Sequence, residues 1–426
     1  MPTLRNRLYH LLRASEKYTK TDMVYLAKGG FWMNLNYVVV NTMAFVLSIA
    51  FAHLLSKDAY GIYQFILAVG AILSSLTLTG MNSAVMRAVA RGKEGPLQAS
   101  IPIQLRYNSG VLAVALGIAI YYWFHQNATL ALGVLIFGAL MPLYATFNTY
   151  TALIGGRKDY FGGFIFGTIL SFVYSACMLA SLFFIHNPAL LIFVNIGTNA
   201  LVTGILYRVA LAHYKPNDEQ DPDTISYGKH LSFANIITSI ANNVDSILVF
   251  HFMGPSLLAL YTFAGAIPER MNGILKSIPV LAFPKLSTKP VAELRGALVR
   301  KSLQFAGITL LVTIIYTACT APLFRLLFPQ YQDAVLYSQG YALALVFASL
   351  LKLPLQALTV ARAQKEIYLY NLTSATVSIV LMSAMLIAYG IWGLIASRAL
   401  SGIVNYLLIL FLFPSGEASS AAVLYE

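Results

Sequence analysis

Long apolar runs separated by short polar interruptions extend along almost the whole chain. A helix needs about 20 apolar residues to cross a hydrocarbon core of roughly 30 Å, and twelve runs meet that length. The predicted spans are 30–55, 61–84, 104–124, 130–153, 161–186, 188–210, 231–253, 256–284, 302–322, 335–357, 367–389 and 392–413. None shows the period-two alternation of transmembrane barrel strands. The pattern predicts an all-α integral membrane protein with about 12 transmembrane helices.

Composition supports the same class. Of 426 residues, 58% are hydrophobic and only 10% are charged, which excludes a soluble globule with a charged surface. Cys177 and Cys319 stand alone in apolar runs and form neither a disulfide framework nor a metal-binding spacing. The chain also has no Walker A pattern, zinc motif or hydrolase elbow. We therefore expect no cofactor, no metal site and no enzymatic activity.

The placement of lysine and arginine predicts the orientation, because cytoplasmic flanks retain positive charge. With the N-terminus inside, 23 of the 28 basic residues lie on the cytoplasmic side and only Lys57 and Arg325 lie outside. The remaining three, Arg270, Lys276 and Arg398, fall within predicted helices. Both termini are thus expected in the cytoplasm. The net charge of +12 reflects this orientation and not nucleic-acid binding, which needs a basic soluble surface.

The chain is expected to have two halves of six helices each. A basic N-terminal segment, 1–29, precedes a first bundle, 30–211, and a polar cytoplasmic linker, 212–230, leads to a second bundle, 231–413, and a tail, 414–426. The N-terminal segment is either an amphipathic helix on the membrane surface or a plain basic tail. An offset of 198 residues lays His53 over His251 and Tyr63 over Tyr261, which supports a repeat only weakly.

The stretch GAIPERMNGILK, 265–276, places charges inside the eighth predicted helix. At the equivalent positions of the first half the chain has Gly70, Ala71 and Ile72, so the fold itself does not require the charges. A charge at the middle of a bilayer costs about 2.5 to 3.5 kcal/mol on insertion scales. Pro268 removes a backbone donor and is expected to kink the helix. We infer that Glu269 and Arg270 have a use within the membrane.

Depth follows from the helical rise of about 1.5 Å per residue. Glu269 and Arg270 lie beyond the midplane, and Lys276 lies deeper, where it either binds cargo or snorkels to the inner face. Asp245 on helix 7 and Arg398 on helix 12 lie at a similar depth to each other, about 10 Å below the outer surface. Two interpretations remain for this set: an interhelical ion pair that holds the bundle, or groups that line a water-filled transport cavity.

Uncharged polar residues mark helices 1 and 7. The amides are Asn34, Asn36 and Asn41 in helix 1, and Asn235, Asn242 and Asn243 in helix 7. Such amides either join helices within the lipid or line a cavity and bond sugar hydroxyls. Asp245 is a candidate for titration or cation binding.

Three stretches resemble Wzx-type (O-antigen type) polysaccharide flippases. The first is GIYQFILAVGAILSSLTLTGMNSAVMRAVARGKEG, 61–95, which is similar to their second-helix signature. NNVDSILVFHFMGPSLLALYTFAGAI, 242–267, resembles their seventh helix and the turn after it, and FPKLS, 283–287, their eighth-helix exit. The superfamily also contains multidrug-and-toxin extruders (MATE) and lipid II flippases.

The resemblance implies a MATE-like, V-shaped pair of six-helix bundles that alternates between inward-open and outward-open states. The implied cargo is an undecaprenyl-pyrophosphate-linked oligosaccharide, moved across the bacterial inner membrane for lipopolysaccharide synthesis. Candidate protein partners are a polysaccharide polymerase and a chain-length regulator. On this basis the expected cargo-binding residues are Arg270, Arg398, Lys276, Asn36, Asn41 and Asn242. Asp245 and Glu269 are the expected residues for coupling to H⁺ or Na⁺.

Two other functions are compatible with parts of the sequence. A cation-coupled multidrug exporter would use Glu269 and Asp245 as its coupling acids, although the intramembrane cations disfavour cationic drugs. A membrane-bound polymerase or ligase would need a large outer loop with catalytic groups, whereas the longest predicted loop here is cytoplasmic.

Overall fold

The computed structural model describes residues 23–286, 291–360 and 364–413, together with Arg13. All regular secondary structure in these residues is helical. The helices are α1 Met23–Leu54, α2 Lys57–Ser75, α3 Gly80–Ala90, α4 Pro96–Asn108, α5 Gly110–Phe124, α6 Ala128–Phe147, α7 Tyr150–Gly156, α8 Tyr160–Leu182, α9 Pro188–Tyr214, α10 Asp223–Met253, α11 Pro255–Leu286, α12 Val291–Leu327, α13 Ala334–Ser349, α14 Lys352–Val360 and α15 Gln364–Leu412. A 3₁₀ turn, Pro329–Tyr331, precedes α13.

Eight stretches of the described chain are long and apolar enough to cross a membrane. They are Gly29–Leu54, Pro96–Phe124, Ala128–Gly156, Tyr160–Leu182, Pro188–Tyr214, Leu298–Leu327, Ala334–Thr359 and Lys365–Leu412. Counting the bent pair α2 and α3 as one span gives nine. The chain is therefore an all-helical, multi-pass membrane protein, as predicted, but the described residues do not yield the twelve predicted spans.

Three predicted spans account for the difference. Two correspond to α10 and α11, which are not among the candidate spans of the described residues. The third lies in α15, which contains both 367–389 and 392–413. Gly390 interrupts α15 with φ 61° and ψ −143°, a conformation nearly restricted to glycine. Two helices of α15 thus meet at Gly390.

The described chain divides into two compact units. Unit 1 comprises the described residues of Met1–Ala50 with Leu73–Asn235, and unit 2 comprises Phe51–Ile72 with the described residues from Ile236 onward. The predicted division into two bundles of six helices stays a prediction.

In unit 1, α6 packs against α5 and α9, and α9 packs against α8. Buried amides and hydroxyls join α4 to α6 and to the start of α7. The Asn108 Nδ2 donates to Thr146 Oγ1 on α6 at 3.0 Å, and Gln104 Nε2 donates to Oγ1 of Thr149, which precedes α7, at 3.0 Å. These side chains are at most 2% exposed. Polar contacts of this kind hold helices together where the lipid offers no hydrophobic drive.

The polar linker is held on unit 1 by the buried carboxylate of Glu94. Arg157 donates to both Glu94 oxygens at 2.6 Å, and the backbone N–H of Asn217 donates to Oε2 at 2.9 Å. The hydrogen bond from Arg157 lowers the pKa of Glu94 below its ordinary value of 4.5. The Gly95 N–H adds a bond to the carbonyl of Glu219 at 2.9 Å. The linker is thus fastened to the loop before α4.

In unit 2, α13 packs against α11, α12 and α15. The first part of α2 also belongs to this unit. The ring centroids of Phe65 and Phe250 lie 4.0 Å apart there, and those of Tyr60 and Phe263 lie 4.8 Å apart. Gly61 allows α2 to approach the start of α11, because an added Cβ would overlap the carbonyl of Pro255. α11 itself runs through Pro268 without a break in its helical assignment.

Candidate functional site

A charged cluster lies inside unit 2, where α10, α11, α13 and α15 each contribute a side chain. Its centre is Arg398 on α15, whose Nη2 donates to Oδ2 of Asp245 on α10 at 2.5 Å. The Asp245 side chain is 7% exposed and that of Arg398 25%. A buried carboxylate needs such a partner, because an unpaired charge in a low-dielectric interior is strongly unfavourable.

Tyr261 completes a triangle with this pair. Its hydroxyl donates to Asp245 Oδ2 at 2.8 Å and accepts a bond from Arg398 Nε at 3.0 Å. The backbone N–H of Ser246 donates to the other Asp245 oxygen at 2.8 Å. Asp245 therefore accepts hydrogen bonds from three residues, Arg398, Tyr261 and Ser246, and the guanidinium of Arg398 compensates its charge.

Arg398 also faces a second carboxylate. Its Nη1 lies 3.6 Å from Oε1 of Glu269 on α11, a distance too long for a hydrogen bond. Oε1 instead accepts a hydrogen bond from the hydroxyl of Tyr341 at 2.6 Å. The Glu269 side chain is 46% exposed. One guanidinium is thus shared between a buried carboxylate that it holds tightly and an accessible one that it holds loosely.

Aromatic rings support the shared guanidinium. Arg398 lies over the ring of Tyr341, 4.6 Å from its centroid, and 5.8 Å from that of Tyr261. Guanidinium planes stack favourably on aromatic faces. Gly265 leaves room for Tyr341, since a Cβ there would lie 3.2 Å from its ring. The stacking fixes the plane of Arg398 while leaving Nη1 directed toward Glu269.

A polar relay continues from Glu269 along α11. Asn272 Nδ2 donates to Glu269 Oε2 at 3.1 Å, and the Lys352 ammonium donates to Asn272 Oδ1 at 2.7 Å. Lys352 therefore bonds within the unit. Arg270 Nη1 donates to the carbonyl of Ala266, one turn earlier on α11. Arg398 and Lys352 thus lie at the two ends of this polar tract, and Arg270 follows Glu269 on α11.

The structure brings some of the predicted site residues together within unit 2. Asp245, Glu269 and Arg398 form one cluster, and Arg270 adjoins it on α11. Asn242 is exposed on α10, and the Asn41 amide bonds to the carbonyl of Tyr37 on its own helix at 2.8 Å. The Lys276 side chain lies outside the described residues, so its predicted role is untested.

Sequence reasoning missed both tyrosines of the cluster. Tyr261 and Tyr341 lie in apolar runs like many of the 26 tyrosines of the chain. The available signal was the need of a buried Asp245 for additional donors. Tyr261, which lies on the next helix only 16 positions after Asp245, could have been named on that ground. No comparable feature of the sequence identifies Tyr341 as part of the cluster.

Unit 1 has a separate cavity of about 280 Å³ between α1, α7 and α8. Its lining includes Trp32, Asn36, Tyr150, Phe164 and Gly167. Asn36, a predicted sugar contact, is the one candidate site residue among the residues that line it. Its Oδ1 has no hydrogen-bond partner among the described atoms.

Asp159 lies at the edge of this cavity and caps α8. Burial raises the pKa of Asp159, but hydrogen bonds from the Tyr214 hydroxyl at 2.6 Å and the Gly162 N–H at 2.9 Å outweigh it and lower the pKa overall. The carboxylate is therefore ionised at neutral pH. Across the described residues, no group of three or more His, Cys, Asp or Glu side chains is arranged to hold a metal ion.

Solved structures with the same fold are membrane transporters. The lipid II flippase MurJ in an inward closed conformation superposes with a TM-score of 0.65 at 14% identity, covering 89% of this chain and 86% of that chain. An inward-facing MATE family transporter of the MOP superfamily gives 0.61 at 12% identity, covering 91% and 96%. The Vibrio cholerae MATE transporter VcmN gives 0.54 at 12% identity, covering 97% and 99%. The fold of this chain is MATE- and MurJ-like.

A family model makes the assignment more specific. The model described as "Polysaccharide biosynthesis protein" matches residues 26–289, more than half of the chain. The protein belongs to this polysaccharide biosynthesis family, and the resemblance seen in the sequence is confirmed at that level. No curated protein matches the sequence.

Proposed function

We propose that the protein is a flippase that moves an undecaprenyl-pyrophosphate-linked oligosaccharide from the inner to the outer leaflet of the bacterial plasma membrane. The observation that carries the proposal is the intramembrane cluster in which Arg398 is shared between Asp245 and Glu269. Membership in a polysaccharide biosynthesis family supports the choice of cargo. A surface polysaccharide such as lipopolysaccharide O-antigen is the expected end product.

The proposal includes a specific topology. Adding α10, α11 and the second helix of α15 to the nine candidate spans gives twelve, with both termini in the cytoplasm as the positive charges indicate. The twelve helices would form two bundles of six that alternate between inward-open and outward-open states.

The chemistry of a pyrophosphate explains the arrangement of charges. A diphosphate that enters a low-dielectric cavity needs cationic donors, and arginine offers them in a fork that matches phosphate oxygens. Nη1 of Arg398 is close to Glu269 without a hydrogen bond, so a phosphate oxygen can replace the carboxylate as its partner. Arg270 is the second expected contact, with Lys276 deeper in the same helix. Asn36, Asn41 and Asn242 are proposed contacts of the sugar hydroxyls.

The same exchange offers a means of coupling. When a phosphate oxygen of the cargo replaces Glu269 as the partner of Arg398, the exposed carboxylate of Glu269 becomes available to a proton or Na⁺. Asp245 keeps its hydrogen bonds from Ser246, Tyr261 and Arg398. We propose Glu269 as the group that exchanges the coupling ion and Asp245 as the group that keeps Arg398 in place.

A multidrug exporter of the same fold is the alternative, and the cluster disfavours it. The buried acid of an exporter of cationic drugs must be able to release its partner and face the cargo. Here Asp245 is neutralised by a stacked arginine, and Lys352 adds positive charge to the polar tract that continues from Glu269. Such surroundings attract an anionic cargo and repel a cationic one.

The proposal is tested by replacing Arg270 in a strain that depends on this protein for its surface polysaccharide. Arg270→Ala is expected to abolish the surface polymer and to raise the amount of lipid-linked repeat unit in membrane extracts. Arg325→Ala serves as the matched control. It removes an exposed arginine from the last turn of α12, the end predicted to lie at the outer face of the membrane. Immunoblots of isolated membranes establish that both variants reach the membrane.

Normal polymer output from the Arg270→Ala variant would remove Arg270 from the cargo site. Loss of polymer in both variants at normal protein levels would show that the effect does not depend on the cluster.

A further inference from the structure

The cavity in unit 1 has the composition of a carbohydrate site. One wall is aromatic: Trp32 packs edge-on against Phe161, with ring centroids 4.6 Å apart, and lies 5.2 Å from Phe164. Tyr150 and Phe166 extend the aromatic lining. Sugar rings present C–H groups on their faces and hydroxyls on their edges, and aromatic rings complement those faces.

Polar groups of the cavity are uncharged apart from Asp159. Asn36, Asn148 and Thr151 contribute amides and a hydroxyl, which can both donate to and accept from a sugar hydroxyl. Among the described residues that line the cavity there is no lysine or arginine. The cavity therefore does not suit a phosphate, in contrast to the cluster in unit 2.

Asn36 has an unused hydrogen-bonding group at this site. Its Oδ1 is buried without a partner among the described residues and faces Gly167, where an added Cβ would lie 2.6 Å away. A half-turn about the last side-chain torsion exchanges the oxygen and the amide nitrogen, so either one can be presented to a ligand. Buried polar groups are nearly always satisfied, and a bound hydroxyl would satisfy this one.

Glycines keep the cavity open on the side of α8. Gly163 and Gly167 are one turn apart and both line it. At Gly163 a Cβ would meet nothing closer than 3.7 Å, whereas at Gly167 it would displace the Asn36 amide. The volume of about 280 Å³ is at the lower end of the range for small-molecule pockets, which limits the occupant to about one sugar ring.

We infer that this cavity binds a single sugar residue, with Trp32 against the face of the ring and Asn36 bonded to a hydroxyl. The choice of a sugar as the occupant rests on the proposed function. In that context the cavity takes one sugar of the oligosaccharide.

Trp32 provides a direct readout. The chain has three tryptophans. Trp123 and Trp392 are 66% and 48% exposed, so both can be replaced by phenylalanine with little loss of packing. The Trp123→Phe, Trp392→Phe variant then has Trp32 as its single tryptophan emitter. The full-length protein in detergent is titrated with methyl glycosides: neutral hexosides, N-acetylhexosaminides, deoxyhexosides and uronides, each to high millimolar concentration. We expect a saturable change in Trp32 emission with at least one class.

Variants assign the response to the cavity. Asn36→Leu and Gly167→Ala are expected to abolish the saturable change. Asn199→Leu, which makes the same chemical change to a half-buried amide of α9 that bonds its own helix at 2.9 Å, is expected to retain it.

Each other outcome overturns the inference. No saturable response to any glycoside class, or a response that Asn36→Leu and Gly167→Ala leave unchanged, excludes a sugar site in this cavity. A response to tetraphenylphosphonium without one to glycosides assigns the cavity to aromatic cations. The proposed function fails separately, since it depends on polymer output from Arg270→Ala cells and not on Trp32 emission.

Discussion

Arg398 and Asp245, 153 positions apart in the chain, are joined by a hydrogen bond of 2.5 Å inside unit 2. This pair accounts for two charges in predicted membrane helices that the sequence alone left unexplained. It also determines which carboxylate remains accessible, because Glu269 keeps only a loose contact with the same guanidinium.

The first prediction concerns the stability of this pair. Arg398→Met leaves Asp245 buried without its cation and is expected to reduce the free energy of unfolding by about 3 to 5 kcal/mol. Adding Asp245→Asn removes the unpaired charge, so the double variant should be more stable than Arg398→Met alone. Unfolding in mixed micelles titrated with SDS measures all four members of the cycle. Additive effects of the two substitutions would show that the side chains do not interact.

A second prediction concerns coupling. Glu269→Gln keeps a hydrogen-bond acceptor for Tyr341 but cannot bind a proton or attract Na⁺. We expect transport by this variant in liposomes to lose its dependence on an imposed proton or sodium gradient, while the wild-type protein is accelerated by one of them. Equal wild-type rates with and without both gradients would refute coupling through Glu269.

The third prediction follows from the lowered pKa of Glu94. The folded-state pKa lies below the ordinary value of 4.5, so ionised Glu94 stabilises the protein above pH 4.5, and this contribution is lost as the pH falls through the lowered pKa. Glu94→Gln should therefore reduce the Tm at neutral pH, and the difference from wild type should shrink as the pH falls below 4.5.

Glu219→Gln is the control for that measurement, because Glu219 is exposed and its backbone carbonyl makes the bond to Gly95. A Tm difference for Glu94→Gln that does not change with pH would contradict the account of the linker attachment.

A fourth prediction concerns Gly61 at the contact of α2 with α11. Gly61→Ala places a methyl group against the backbone of Pro255, which cannot move aside as a side chain does, and overpacking costs about 1 to 3 kcal/mol or more. Gly117→Ala is the matched control, since nothing lies within 4 Å of its added Cβ. We expect a lower Tm in detergent for Gly61→Ala only, and equal Tm values would show that the contact does not require glycine.

The sequence could predict the depth of charged groups but not their direction around a helix. The rise per residue of an α-helix predicts similar depths in the membrane for Asp245 and Arg398, and in the structure a hydrogen bond joins the two side chains. Whether they faced each other depended on the rotation of α10 and α15, which the mixed polarity of these helices does not determine. For the same reason Tyr341 could not be placed beside Glu269.

The count of twelve helices met a different limit, because α10 and α11 are not among the candidate spans of the described residues and the last two predicted helices meet at Gly390 within α15. The Glu94 attachment was missed because a single acidic residue in a short basic loop, RGKEG, has no pattern that reveals a buried partner.

The central claim, that the protein moves a lipid-linked oligosaccharide across a bilayer, is tested most directly in liposomes. A lipid-linked oligosaccharide with a fluorescent sugar terminus is incorporated with the protein, and the fraction that an external glycosidase cleaves is followed over time. We predict that wild-type protein and Arg325→Ala raise this fraction well above that of protein-free liposomes, whereas Arg270→Ala does not. A cleaved fraction for wild-type protein equal to that of protein-free liposomes would contradict the claim.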